Sequence, residues 1–255
     1  MNPLPKEELK ESLINSSIDK PKSGTLSGHA AGEPFDKLVY SQLKNINSKT
    51  YRQFEYLNSV FLSNIEMTSF EERLGLIDSK VLQFLLSRGK KATSEWSPSK
   101  LFEEKQNDTA DIIITSNKSV RLIDVKTRNI SKQAQPPNII SAYKLAKACA
   151  LLLEYKEYDD LNIDYIGIDW KLAGDKLKCV GVHFTDLFKV PPQNLYINWA
   201  AAMQIQFNVE GLSQEYEGEK KDWAISYLTH FSKGAEERSR NMIKKFVDPF
   251  SKFIA

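Results

Sequence analysis

The chain has 255 residues, 41% of them hydrophobic and 27% charged, which suffices for one large domain or two small ones and excludes wholesale disorder. Its formal net charge is only +2, so any hold on a polyanion must come from a local patch rather than from overall charge. No secretory signal or long apolar span is present, and Cys149 and Cys179 lie in apolar contexts without metal-ligand spacing, so a soluble, intracellular protein with buried free thiols is expected.

Residues 1–31 are polar and rich in Lys, Ser and Gly, and read as an N-terminal arm with little core of its own. At Gly32-Glu33-Pro34 a helix is expected to begin, with Phe35, Leu38, Val39 and Leu43 as its apolar face. Helical segments follow near 51–64 and 78–88. Strands are expected at 111–115 and 120–126, then a helix over 139–155 whose stripe includes Ile140, Tyr143, Leu145, Ala146, Cys149 and Leu152. Alternating strands over 163–170 and 176–184 flank a Gly174-Asp175 turn. Two amphipathic helices, near 220–233 and 235–252, end the chain. No repeat or low-complexity linker interrupts it, so residues 32–255 read as one α/β domain with helical flanks.

The chemistry concentrates at Asp111 and at Asp124-Val125-Lys126. Asp111 heads an apolar run, Ile112-Ile113-Ile114, and twelve residues separate it from Asp124. With Ser116-Asn117-Lys118-Ser119 as the turn, the second strand returns beside the first and brings Asp124 back towards Asp111. Side chains alternate along a strand, so Asp124 and Lys126 share one face while Val125 points to the core. Two carboxylates can hold a hard divalent cation through oxygen, and a neighbouring lysine can serve a phosphate and a water nucleophile. Around them runs a basic stretch, Lys118, Arg121, Lys126, Arg128 and Lys132, opposed by Asp124 alone. The three histidines, His29, His183 and His230, are far apart in sequence and do not suggest a zinc site.

The acid–spacer–Asp-Val-Lys pattern resembles the PD-(D/E)xK nuclease superfamily. Longer stretches resemble one branch of it, the HincII/HindII family of type II restriction endonucleases. They are Pro21 to Phe35, Leu101 to Asp111, Asp124 to Ser131, Pro137 to Leu145 and Leu195 to Phe207. The similarity runs from about residue 20 to the C-terminus. Ala110 stands where the superfamily's name-giving proline would be, a position that is not a ligand.

The resemblance implies a mixed central sheet flanked by helices. It implies a bacterial, cytoplasmic homodimer that cuts double-stranded DNA with Mg²⁺, and a partner methyltransferase that protects host DNA. The implied target is GTYRAC, cut blunt at its centre to leave 5′-phosphates. It makes Asp111, Asp124 and Lys126 the catalytic trio, with the Val125 carbonyl as a further metal ligand. Lys90, Arg128 and Asn129 become candidates for DNA contact, Asn138 and Asn198 for reading base edges, and Gln106 and Gln135 for pressing on the duplex from the minor groove. Glu33 is a candidate for indirect metal binding. A repair or recombination nuclease of the same fold, or a DNA-binding protein that does not cleave, are the alternatives.

Overall fold

The computed structural model describes residues 4–14, 16–20, 29–62, 70–87, 102–103, 108–116, 119–131, 138–159, 161–200, 203–206 and 215–253. In chain order the first elements are α1 (Lys6–Leu13), β1 (Ser17–Asp19), α2 (His29–Ile46), β2 (Thr50–Tyr51), α3 (Gln53–Leu62), α4 (Phe70–Leu74) and α5 (Lys80–Leu86). Then come β3 (Ile112–Thr115), β4 (Val120–Asn129), β5 (Asn138–Ser141), α6 (Ala142–Tyr155), β6 (Leu161–Ala173) and β7 (Lys176–Asp186). Two short strands, β8 (Tyr196–Asn198) and β9 (Gln204–Gln206), and a long helix, α7 (Lys220–Phe246), complete the set.

Six strands form the central sheet in the order β1-β7-β6-β4-β3-β2. It is mixed: β4 and β6 are parallel, joined through α6, and the other pairs are antiparallel. A parallel pair needs a crossover of this kind, whereas β3 and β4 need only the Ser116–Ser119 turn. The fold is therefore the α/β arrangement expected, a mixed sheet with helices on both faces.

Period-two alternation sorts the strand side chains into two cores. On one face Ile113, Leu122, Ile163 and Tyr165 pack against α3, α5, α6 and α7 through Leu57, Leu85, Leu145, Cys149 and Trp223. On the other, Ile112, Ile123, Val125, Ile166 and Ile168 meet Phe35, Val39 and Leu43 of α2 and Leu9 and Leu13 of α1. A strand covered on both sides reads as an unbroken apolar run, which is why Ile112-Ile113-Ile114 does not alternate.

Some elements differ from the sequence-based expectation. Polar composition between residues 1 and 31 hides α1, yet its Leu9 and Leu13 are fully buried in the second core. The following helix starts at His29, a turn earlier than Gly32-Glu33-Pro34, with Pro34 inside it. Ile139 and Ile140 belong to β5, and the helix begins at Ala142. The two C-terminal helices are one continuous helix, α7, and at Gly234 it passes close to the Trp199 ring: a Cβ there would lie 3.1 Å from Trp199 Cζ2. Beyond that crossing α7 leaves the body and exposes Met242, Ile243 and Phe246. Among the described residues no helix is long and apolar enough to cross a membrane.

Candidate active site

β3 ends one residue short of Asp111, while β4 continues to Asn129. The Asp111 amide still donates to the Ile123 carbonyl (3.0 Å), but its side chain then takes over the pairing. Asp111 Oδ2 accepts the Val125 amide at 2.7 Å. In an extended strand the amide and carbonyl of one residue face the same edge, so the Val125 carbonyl points to the edge β3 has vacated. Asp111 shares a face with Ile113, and Asp124 with Leu122, so both carboxylates rise from the same side of the sheet. Lys126, two residues on, places Nζ 2.8 Å from Asp124 Oδ1.

Burial, the Asp124 charge and a hydrogen bond with Asp124 push the Asp111 carboxyl up to about 7. A cation held between the two carboxyls would offset that repulsion. Burial opposes the Lys126 charge, but Asp124, with Asp111 and Asp36 behind it, outweighs that and raises its pKa. Carboxylate oxygens and a carbonyl aimed at the same edge make a donor set that fits a hard divalent cation, whose binding would displace the Asp111 proton.

The approach to Asp111 is pinned from outside the hairpin. Gln53 Oε1 accepts the amides of Thr109 (2.9 Å) and Ala110 (3.1 Å), while its Nε2 donates to Asp108. A proline at position 110 would have no amide to give, so alanine at this place gains a hydrogen bond. Arg52 donates to both oxygens of Asp36 (2.7 and 2.8 Å) and to the Asp111 carbonyl (3.3 Å), and its guanidinium lies over the Tyr40 ring. Thus α2 and α3 brace the turn into β3.

The sequence profile described as Restriction endonuclease HincII matches residues 9–254. The chain belongs to that family. It is 55% identical over 249 residues to the type II restriction enzyme HindII of Haemophilus influenzae, covering 97% of this chain and 96% of that protein. It is 54% identical, over the same shares, to the type II restriction enzyme HincII of Haemophilus influenzae. A solved structure, the NlaIV restriction endonuclease, is similar over 89% of this chain and 85% of that one, at 9% identity and a TM-score of 0.40.

Other expected site residues of this family member fall in different places. Arg128 lies on the Asp124 face two rungs further on, where Asp169 accepts from its Nε (2.8 Å) and Nη2 (2.7 Å) and also meets His183 Nε2 (3.0 Å). Asn129 closes β4 and uses Oδ1 to accept the Ser131 amide. Among the described residues the cations of the basic stretch are paired: Arg121 is buried against Asp164, Lys126 meets Asp124 and Arg128 meets Asp169. Glu33 is exposed and bonded to Lys37 one helical turn away. Lys90, Gln106 and Gln135 lie outside the described residues, as do Lys118 and Lys132.

Asn138 and Asn198, sixty residues apart, come together on the second sheet, ordered β5-β9-β8. Asn138 pairs with Gln206, and Asn198 with Gln204. Ile139, Ile197 and Ile205 face the core, which leaves Asn138, Tyr196, Asn198, Gln204 and Gln206 on the opposite face. Sequence reasoning missed Gln204 and Gln206, although Gln-Ile-Gln is a three-residue polar–apolar–polar alternation. It also missed Gln53, Arg52, Tyr165, Asp169 and His183, which reach the site only through pairing distant in sequence. Tyr165 sits beside Asp124 in the β4–β6 register and its hydroxyl is held well above its usual pKa by burial.

Proposed function

We propose that this chain is a type II restriction endonuclease that hydrolyses double-stranded DNA within a short palindrome, with Mg²⁺ as its cofactor. In this reading residues 32–255 carry the nuclease function and residues 1–31 brace it through α1. What supports it most is the pair Asp111 and Asp124 at the open end of β3, with Lys126 Nζ 2.8 Å from Asp124. Asp111, Asp124 and the Val125 carbonyl would hold the metal, which when bound supplies Lewis-acid polarisation of the phosphate and a lowered pKa for a water.

The chain's own groups do the rest. Lys126, half-buried and kept charged by Asp124, offsets negative charge that grows on the phosphate and orients the attacking water. The water gives up a proton to solvent as its oxygen bonds to phosphorus, the bond to the 3′ oxygen breaks and that oxygen takes a proton from solvent, leaving a 5′-phosphate and a 3′-hydroxyl. Arg52 and Gln53 hold the Asp111 backbone still while this happens. Base reading falls to the amide-bearing face of the second sheet, since side-chain amides present the donors and acceptors that base edges require. The proposed target is GTYRAC, cut at its centre. Its central pyrimidine–purine step is easily deformed, which suits selection there by shape rather than by contact. One trio per chain cuts one strand, so a double-strand cut at a palindrome calls for a twofold pair of chains. The reading places the protein in a bacterial cytoplasm beside a methyltransferase of matching specificity.

Digestion of a sequenced plasmid with protein and Mg²⁺ tests this. Discrete fragments whose ends map to GTYRAC are expected. A smear would point to a non-specific nuclease, and intact DNA to a protein that only binds.

A further inference from the structure

Gln206 Nε2 donates to Asn138 Oδ1 at 2.6 Å. The two residues are directly opposite in the β5–β9 ladder, and Tyr196 of β8 flanks Gln206 on its other side. Gln206 is buried at 8% exposure, whereas Asn138 is exposed. Behind them Ile139, Ile197 and Ile205 anchor the sheet in the main core. A buried amide on a packed strand is thus bonded to an exposed amide on the neighbouring strand.

An asparagine amide has an accepting end and a donating end, and a half-turn exchanges them. Unheld, it can pair with a base edge that offers an acceptor, a donor or both. With Oδ1 turned to Gln206, the Nδ2 hydrogens of Asn138, which no described residue accepts, are left for an outside partner. Such a group suits an acceptor at a major-groove edge: purine N7, guanine O6 or thymine O4.

We infer that Gln206 is a positioning residue for sequence choice, holding Asn138 as a hydrogen-bond donor towards an acceptor atom of one base in the target. This rests on the reading that the second sheet faces DNA. The consequence is a division of work within one pair: Asn138 touches the base, and Gln206 acts through Asn138.

The test starts from the protein's own site, mapped by sequencing the ends it produces on a plasmid. Duplexes of that site are made with each purine in turn replaced by its 7-deaza analogue, each guanine by an analogue lacking O6 and each thymine by one lacking O4. Affinities are measured in Ca²⁺ at pH 8 for wild type, Asn138→Ala, Gln206→Leu and the double variant. Wild type should lose roughly 5- to 150-fold in affinity at one of these atoms that both single variants no longer sense. The double variant should discriminate no less than either single one, and binding to an unrelated duplex should be unchanged. Gln206→Glu keeps the side chain's length but only accepts when ionised, so it should turn the Asn138 oxygen outward and weaken binding to the unmodified site. Gln206→Leu and Gln206→Glu discriminating like wild type would overturn the proposal, as would loss of discrimination at a base other than the one Asn138→Ala affects. If Asn138→Ala itself discriminates as wild type does at every atom, the DNA-facing reading of this sheet fails. If the protein makes no mapped cut, the endonuclease reading fails, and this inference with it.

Discussion

At Asp111, burial and the neighbouring Asp124 charge keep the carboxyl protonated up to about 7 in the metal-free protein. In the unfolded chain the same group titrates near the ordinary aspartate value of about 3.9. The folded state therefore binds this proton more tightly, and its contribution to stability is full below about pH 4 and lost as pH rises through about 7. In EDTA the melting temperature of wild type should fall from pH 5 to pH 8 more steeply than that of Asp111→Asn. At pH 8 the variant should melt above wild type; a lower melting point there would show that the carboxylate, not its neutral form, stabilises the metal-free site. At Lys126 the expectation is kinetic. Lys126→Ala should lower the single-turnover cleavage rate by about 10²–10³-fold, the scale for a preorganised electrostatic group, with cognate binding little changed. A rate within a few-fold of wild type would remove Lys126 from the transition state. Asp111, Asp124 and Lys126 are legible in the sequence because one hairpin carries all three. Arg128 is legible only as a cation: its partner Asp169 lies 41 residues away, so the ion pair that occupies its fork cannot be read from the local sequence.

The hairpin β3–β4 and the antiparallel pair β6–β7 are readable because their turns and apolar periods are local. The side-by-side placement of β4 and β6 is not, since a parallel pair depends on where α6 docks, and nor is the small sheet assembled from β5, β8 and β9. What steadies the hairpin is equally non-local. Gln53, the first residue of α3, accepts two successive amides ahead of β3, and it sits in a sequence with nothing to mark it. Gln53→Leu would leave those amides unsatisfied in a largely dry place, at roughly 1–3 kcal/mol. Urea unfolding should register that loss, and single-turnover cleavage should fall further than DNA affinity does, because the Asp111 backbone loses its outer brace. Unchanged unfolding and unchanged cleavage would show that α3 does not set the geometry of Asp111.

As a whole the chain presents one cluster of Asp111, Asp124 and Lys126 and one amide-bearing sheet, and on the proposed reading each serves a single half-site. Sedimentation with a cognate duplex in Ca²⁺ should give two chains per duplex, and one chain per duplex would contradict the twofold arrangement. On the proposed reading Asp111 and Asp124 together supply the metal-dependent step and do little else for DNA affinity. Rapid-quench cleavage of a single cognate duplex by Asp124→Ala, alongside its binding in Ca²⁺-free buffer, tests this most directly. No detectable product is expected at saturating Mg²⁺, while binding equals or exceeds that of wild type, since removing a carboxylate relieves repulsion of the phosphate. Cleavage at near wild-type rate by Asp124→Ala would contradict it.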